Sequence, residues 1–258
     1  MIQISKSNNE IRSVEDWFRF APPKKGQLQW KDGRSAKELA KAWFPAPGEP
    51  QVPGELTALT ESCSATAGVT WQRGEPERVT TFDDCGGEGR NADLVLWGLL
   101  AGQKVVASIE AKADEEFGKI AGEYADKCAN ADRPSRVPDR LELLCKGLLN
   151  VSRYDPAAGK LRYQLLTGLA GALVEARNHD ASIAMFIVHE FLGVTDPEKV
   201  RANEEDLRNF VSTLSKGSIT SISAGQLVGP FTVPGNQFFD GTSPIYIGKC
   251  RRTIGPAA

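Results

Sequence analysis

Residues 90–118, RNADLVLWGLLAGQKVVASIEAKADEEFG, hold two strand-like apolar runs, DLVLWGLL and KVVASIEAK, separated only by AGQ. Two such runs with so short a connection predict an antiparallel hairpin, and that hairpin limits what the rest of the chain can build around it. The second run nevertheless carries Glu110 and Lys112, where a buried strand should carry neither. Side chains alternate along a strand, so Glu110 and Lys112 share a face with Val106 and Ser108, while Val105, Ala107, Ile109 and Ala111 fill the other. A tight turn at Ala101-Gly102 puts Asp93 opposite Glu110, whereas one at Gly102-Gln103 puts Asp93 opposite Lys112 and Val95 opposite Glu110. Either two-residue register gathers Asp93, Glu110 and Lys112 on one face; a three-residue loop would turn Asp93 away.

Two carboxylates and an ammonium on a mostly buried hairpin are costly unless something compensates them. A divalent cation does so. Oxygen ligands from Asp93, Glu110 and the backbone carbonyl of Ala111 suit Mg²⁺, or Mn²⁺ in its place, and Lys112 would then orient or deprotonate a water for attack on a phosphodiester. The competing reading is a Glu110–Lys112 salt bridge on a half-exposed strand.

The flanking sequence supplies layers. Ser35 and Glu38 have capping-box spacing ahead of a helix ELAKAWF that stops at Pro45, and GELTALTESC forms a short helix with Leu56 and Leu59 on one side. LRYQLLTGLAGALVEA has helical apolar spacing and feeds ASIAMFIVHEF, a buried strand. Asn203 and Asp206 start a further helix with Leu207, Phe210, Val211 and Leu214 in one stripe, and LVGPFTVPG and PIYIGKCRR read as two last strands. A helix feeding a core strand is a layered α/β signal. The expected organisation is one domain over 1–258, with an N-terminal extension (1–34), a core (35–195) and a C-terminal helix and strands (196–258).

Composition excludes several function classes. The longest nearly apolar run, Ile183 to Val188, is too short to span a bilayer, and MIQISKSNNEIRS has no apolar signal segment, so the expectation is a cytoplasmic protein without membrane contact. Five cysteines without a CxxC pair, and only two histidines, indicate neither a disulfide framework nor structural zinc. A lone histidine such as His189, at the end of an apolar strand, is expected as a core residue rather than a general base.

Net charge is −2, but it is unevenly spread. Arg133 to Arg162 holds seven basic residues against three acids, directly after an acidic stretch, Glu110 to Asp126, with six acids against two lysines. A phosphodiester at an acidic metal site needs cationic neighbours, which nominates Arg136, Arg140, Arg153 and Arg162 as substrate contacts. Solvated helix faces are the plainer account of the same charges, and the tail Lys249-Cys250-Arg251-Arg252 is the other basic path.

Asp93, then seventeen residues on Glu110-Ala111-Lys112, resembles the Asp…Glu-x-Lys signature of the PD-(D/E)XK, or restriction-endonuclease-like, nuclease superfamily. The wider series WKDGRSAKELAKAWF, DLVLWG, EAKADEEFG and RYQLLTGLAGALVEA looks like an uncharacterised, mainly bacterial family of such proteins, over about Trp30 to Phe191. It departs from the strict motif in having Ala92, not proline, before Asp93. The resemblance implies a restriction-endonuclease-like α/β fold, a mixed central sheet flanked by helices. It implies that Asp93 and Glu110 bind metal, that Lys112 positions the water, and that Gln164 stands near the site on the following helix. Superfamily members often add an acid from a preceding helix, here Glu55 or Glu61, and Asp114 and Glu115 are further candidates for a second metal. The implied activity is Mg²⁺-dependent hydrolysis of nucleic acid, with DNA the favoured substrate and a homodimer the arrangement by which many relatives cut two strands. The alternative is the same fold without catalysis, serving as a binding or protein-interaction module.

Overall fold

A computed structural model describes residues 2–193 and 197–255. The chain runs through β1 (Gln3–Lys6), β2 (Asn9–Glu10), α1 (Val14–Phe20), a 3-10 turn (Gly26–Leu28), α2 (Ser35–Trp43), α3 (Gly54–Glu61) and β3 (Thr70–Thr80). The hairpin follows as β4 (Arg90–Leu100) and β5 (Gln103–Lys112). Then come α4 (Ala121–Ala129), α5 (Val137–Leu149), α6 (Pro156–Gly159), α7 (Tyr163–Asn178), β6 (Ile183–Leu192), α8 (Pro197–Leu214), β7 (Gln226–Phe231) and β8 (Ile245–Thr253).

Among the described residues the strands form one eight-stranded mixed sheet in the order β2-β1-β3-β4-β5-β6-β8-β7. β3, β4 and β5 are antiparallel neighbours, whereas β5, β6 and β8 run parallel. The hairpin turns at Ala101-Gly102, both at positive φ (49° and 84°), as a type I′ turn requires, and its register pairs Leu100 with Gln103 and Leu94 with Ile109. This is the first of the two registers considered above. It sends Val95, Trp97 and Val106 into one core and Leu94, Leu96, Val105, Ala107 and Ile109 into the other.

Helices cover both faces, which gives the α/β sheet two hydrophobic cores. α1, α2 and α3 pack on one face through Trp17, Leu39, Trp43, Leu56 and Leu59. α5, α7 and α8 pack on the other through Leu144, Leu165, Leu169 and Phe210. β6, buried on both sides, is apolar almost throughout, as expected of a central parallel strand. α7 lies close on it: a Cβ at Gly168 would meet the Phe186 ring at 2.6 Å, so only glycine permits that approach. No helix among the described residues is long and apolar enough to cross a membrane.

Three expectations change. The first 34 residues are not an appendage: β1 pairs in parallel with β3, and Ile2, Ile4, Ile11 and Trp17 are buried. α8 starts at Pro197, so Asn203 lies inside it, buried, rather than capping it. α2 starts at Ser35 itself; Arg34 is the cap, and Glu38 Oε1 accepts from the Gly33 N–H instead. The expected boundary between 195 and 196 adjoins residues 194–196, outside the described residues.

A candidate phosphodiester site

β4 and β5 stop pairing after Leu94–Ile109, although both strands continue. Where they part, the Asp93 carboxylate takes over from backbone, accepting from the Ala111 N–H at 2.7 Å. The parting opens a cleft of about 850 Å³ between the two helical layers, and its lining includes Asp93, Glu110, Ala111, Lys112 and Gln164. Five residues singled out from sequence thus share one cleft.

Glu110 is the centre of the floor, 2% exposed. Its Oε1 accepts from Lys112 Nζ at 2.7 Å and from Gln164 Nε2 at 2.6 Å, and its Oε2 pairs with Arg90. Arg90 reaches it by lying across α7 at Gly171, where a Cβ would stand 3.2 Å from Arg90 Cγ. Burial pushes the Lys112 ammonium's pKa down against the opposing pull of Glu115 and Asp93. Burial likewise raises Glu115, with the Lys112 charge opposing.

A fourth acid was not read from sequence. Glu77, on β3 beside Asp93 in the register, lines the same cleft and accepts a hydrogen bond from Asn91. Burial, and then the negative charge of Asp93, push its pKa up to about 8, so it keeps its proton at neutral pH. Its φ of 49° places a non-glycine residue in the left-handed region, a strained conformation of the sort found at functional sites.

The remaining acids divide. Glu115 lines the cleft, and α8 holds its loop: Asn203 Nδ2 donates to the Glu115 carbonyl at 3.0 Å and Lys199 Nζ to the Asp114 carbonyl at 3.2 Å. The Asp114 carboxylate instead pairs with Arg34 at 2.8 Å. Glu55 and Glu61 are not at the site, because α3 packs on the opposite face of the sheet. Glu61 accepts from the Gly68 N–H at its own surface. Glu55 receives Arg252 through both carboxylate oxygens and lies 2.8 Å from His189 Nε2. Burial alone would raise its pKa, yet hydrogen bonds from His189 and Arg252 bring it down to about 2. His189, fully buried, has its pKa lowered chiefly by that burial, and its Nδ1 has no hydrogen-bond partner, which suits a neutral core imidazole.

The four arginines are corrected in the same way. Only Arg140 lines the cleft, and it is bound to Asp83 at 2.6 Å. Arg136 pairs with Asp139, Arg153 with Asp126, and Arg162 with Asp206, the last also donating to the Gly118 carbonyl. These cations answer neighbouring acids. The basic rim comes instead from Lys24, Lys25, Arg34 and Lys119, of which Lys24 pairs with Glu88 and Arg34 with Asp114. Its sequence signal was the pair of lysines in PPKKG, within the segment read as an extension. In the basic tail, Lys249 and Arg251 pair with Glu190 and Arg252 with Glu55.

The donor set fits Mg²⁺ in kind, since all candidate ligands are oxygens; with Glu77 protonated, Asp93, Glu110 and Glu115 when ionised outnumber Arg90 and Lys112 by one charge. The arrangement is that of a carboxylate held by cations: no three Asp, Glu, His or Cys side chains among the described residues form a metal-holding group. Holding an ion would require Glu110 to exchange the Arg90 guanidinium for it.

The chain belongs to the family described as a domain of unknown function, DUF6946, which matches residues 10–249. No curated protein and no solved structure matches it.

Proposed function

We propose that this DUF6946 chain is a metal-dependent nuclease that hydrolyses phosphodiester bonds of nucleic acid, with DNA the favoured substrate, on a restriction-endonuclease-like core. The observation that carries the reading is the floor of the cleft, where strands β3, β4 and β5 bring the carboxyls of Glu77, Asp93 and Glu110 together with the Lys112 ammonium. In this reading Asp93, Glu110 and the Ala111 carbonyl hold Mg²⁺ or Mn²⁺. Bound there, the ion would supply Lewis-acid polarisation of the phosphate and a more acidic water.

The chain's own groups supply the rest. Lys112, with a lowered pKa, is suited to hold the attacking water and to exchange a proton with it. Gln164 fixes the Glu110 carboxylate through Oε1, and Glu77 is a proton-bearing carboxyl that can ionise when a cation offsets Asp93. The rim lysines face the incoming phosphates.

A second reading has its own observation. Glu110 is already satisfied by Arg90, Lys112 and Gln164, which is what an inactive binding module would retain. Titrating Mg²⁺ or Mn²⁺ into purified protein, while following thermal unfolding and the integrity of plasmid and oligonucleotide substrates, separates the two. A nuclease shows metal-dependent stabilisation and cleavage that Lys112→Ala removes. Absence of both effects would leave the binding module.

A further inference from the structure

We infer that the cleft receives nucleic acid as a single strand, with Tyr124 and Leu28 gripping an unstacked base. This inference rests on reading the cleft as a nucleic-acid site and names its substrate class. Depth is the first argument. Glu110 and Lys112 are 2% and 4% exposed, so a phosphodiester must travel to the floor rather than the floor rise to a duplex surface. A cavity of about 850 Å³ falls within the range of about 300–1,000 Å³ that encloses one small molecule, enough for on the order of one or two nucleotides.

The lining is the second argument. Tyr124 and Tyr163, both half-buried, stand edge to face at 5.3 Å, and Lys119 Nζ caps the Tyr124 ring at 4.1 Å. A base on that ring would take the place of the ammonium and leave Lys119 to its phosphate. Base–aromatic stacking next to a cation is how single-strand binders work without reading sequence.

The third argument comes from Leu28. The 3-10 turn Gly26–Leu28 brings Leu28 to the cleft, 70% exposed, just after Lys24 and Lys25. A leucine so exposed adds nothing to the core. Apolar side chains presented among cations are what nucleic-acid proteins insert between bases to unstack them. Leu28, from the 3-10 turn, and Tyr124, from α4, thus line the same cleft, each with an apolar surface for a base.

Fluorescence anisotropy in EDTA tests this with the full chain, a labelled 12-nucleotide single strand and the same sequence as a blunt duplex. The expected result is single-strand binding at least tenfold tighter than duplex binding. Tyr124→Ala should weaken it about 5- to 150-fold, the range of one lost stacking contact, while Tyr124→Phe binds as wild type. Leu28→Ala, at an exposed position that cannot threaten folding, should weaken it several-fold. Duplex binding equal to single-strand binding would overturn the inference, as would wild-type affinity in both alanine variants. Displacement of the strand by AMP at equal concentration would also overturn it, making a free nucleotide the occupant. Cleavage in Mg²⁺ separates the two readings: Lys112-dependent cutting of duplex, indifferent to Tyr124, sinks the single-strand inference alone. Tyr124-dependent strand binding with no cleavage in Mg²⁺ or Mn²⁺ sinks hydrolysis alone.

Discussion

Arg90→Met asks whether the guanidinium on Glu110 holds a cation's place. The side chain is 11% exposed and its partner 2%, so the change leaves a carboxylate buried with less than its full set of donors. Unpairing a buried ion pair costs about 3–5 kcal/mol. Glu110 keeps Lys112 at 2.7 Å and Gln164 at 2.6 Å, which favours the lower end, about 3 kcal/mol. For a chain of this size each kcal/mol moves the unfolding midpoint by about 2–4 °C, so the variant should melt about 6–12 °C below wild type in EDTA. Mg²⁺ at a hundredfold excess over its dissociation constant would return about 2.7 kcal/mol. In Mg²⁺ the variant should therefore recover most of the loss, while wild type, which must first move Arg90, gains less. Differential scanning calorimetry in EDTA and in MgCl₂ reads both effects. An equal deficit in the two buffers would refute competition between Arg90 and a metal, and no deficit in EDTA would refute the ion pair itself.

Lys112→Ala should lower cleavage by about 10²–10⁴-fold, the scale of a lost acid–base group, with metal affinity by calorimetric titration unchanged or higher because a neighbouring cation is gone; Asp93→Asn should weaken metal binding directly. Glu77 keeps its proton to about pH 8 in the fold but loses it near the ordinary glutamate value of 4.5 when unfolded, so its ionisation favours unfolding increasingly from pH 4.5 to 8. Glu77→Gln should therefore raise the metal-free melting temperature by an amount that grows across that window and is flat below it; a pH-independent difference would contradict the burial argument. Arg136→Gln with Arg153→Gln should leave nucleic-acid affinity and its salt slope unchanged, since both side chains are engaged by local acids. Lys25→Gln with Lys119→Gln, two cleft-lining lysines outside the local ion pairs, should lower the logarithmic salt slope for a single strand by about 0.7 per lost contact, and equal slopes for the two double variants would put the rim elsewhere.

What could be read from sequence was whatever a short-range period controls. Strand alternation put Glu110 and Lys112 on one face from sequence, whereas Asp93 joined them only because the connection, left open by the sequence, is the two-residue turn Ala101-Gly102. The apolar helix and the strand after it were equally plain; Gln164, which only the resemblance had placed near the site, donates to Glu110. β3 was not legible, because Gly74 and Pro76 interrupt TWQRGEPERVT in ways that usually argue against a strand. β1 reaches only as far as Gly74, so Pro76 lies past that pairing. With β3 unread, Glu77 could not be assigned to any face. Glu55 was misplaced for a different reason: a helix carboxylate can be counted in sequence, but nothing local says which face of a sheet its helix will cover.

Charge separates the site from its surroundings more sharply than any single contact does. In the register of β5 and β6, Lys112 lies beside Glu190, which is also 2% exposed. There the chain closes its account: Glu190 and Glu204 meet Lys249 and Arg251, two acids against two bases. A structural cluster built on buried charges, here Glu190 and Lys249, is expected to balance in this way, since an uncompensated buried charge costs several kcal/mol. The floor of the cleft does not balance: with Glu77 holding its proton, Asp93, Glu110 and Glu115 when ionised exceed Arg90 and Lys112 by one, and Glu77, its pKa raised first by burial and then by the charge of Asp93, is a further acid in reserve. A fold that neutralises one cluster and leaves a surplus beside it at the bottom of an open cleft has left room for positive charge from outside, and ionisation of Glu77 on binding would bring that surplus to two, the charge of the ion proposed.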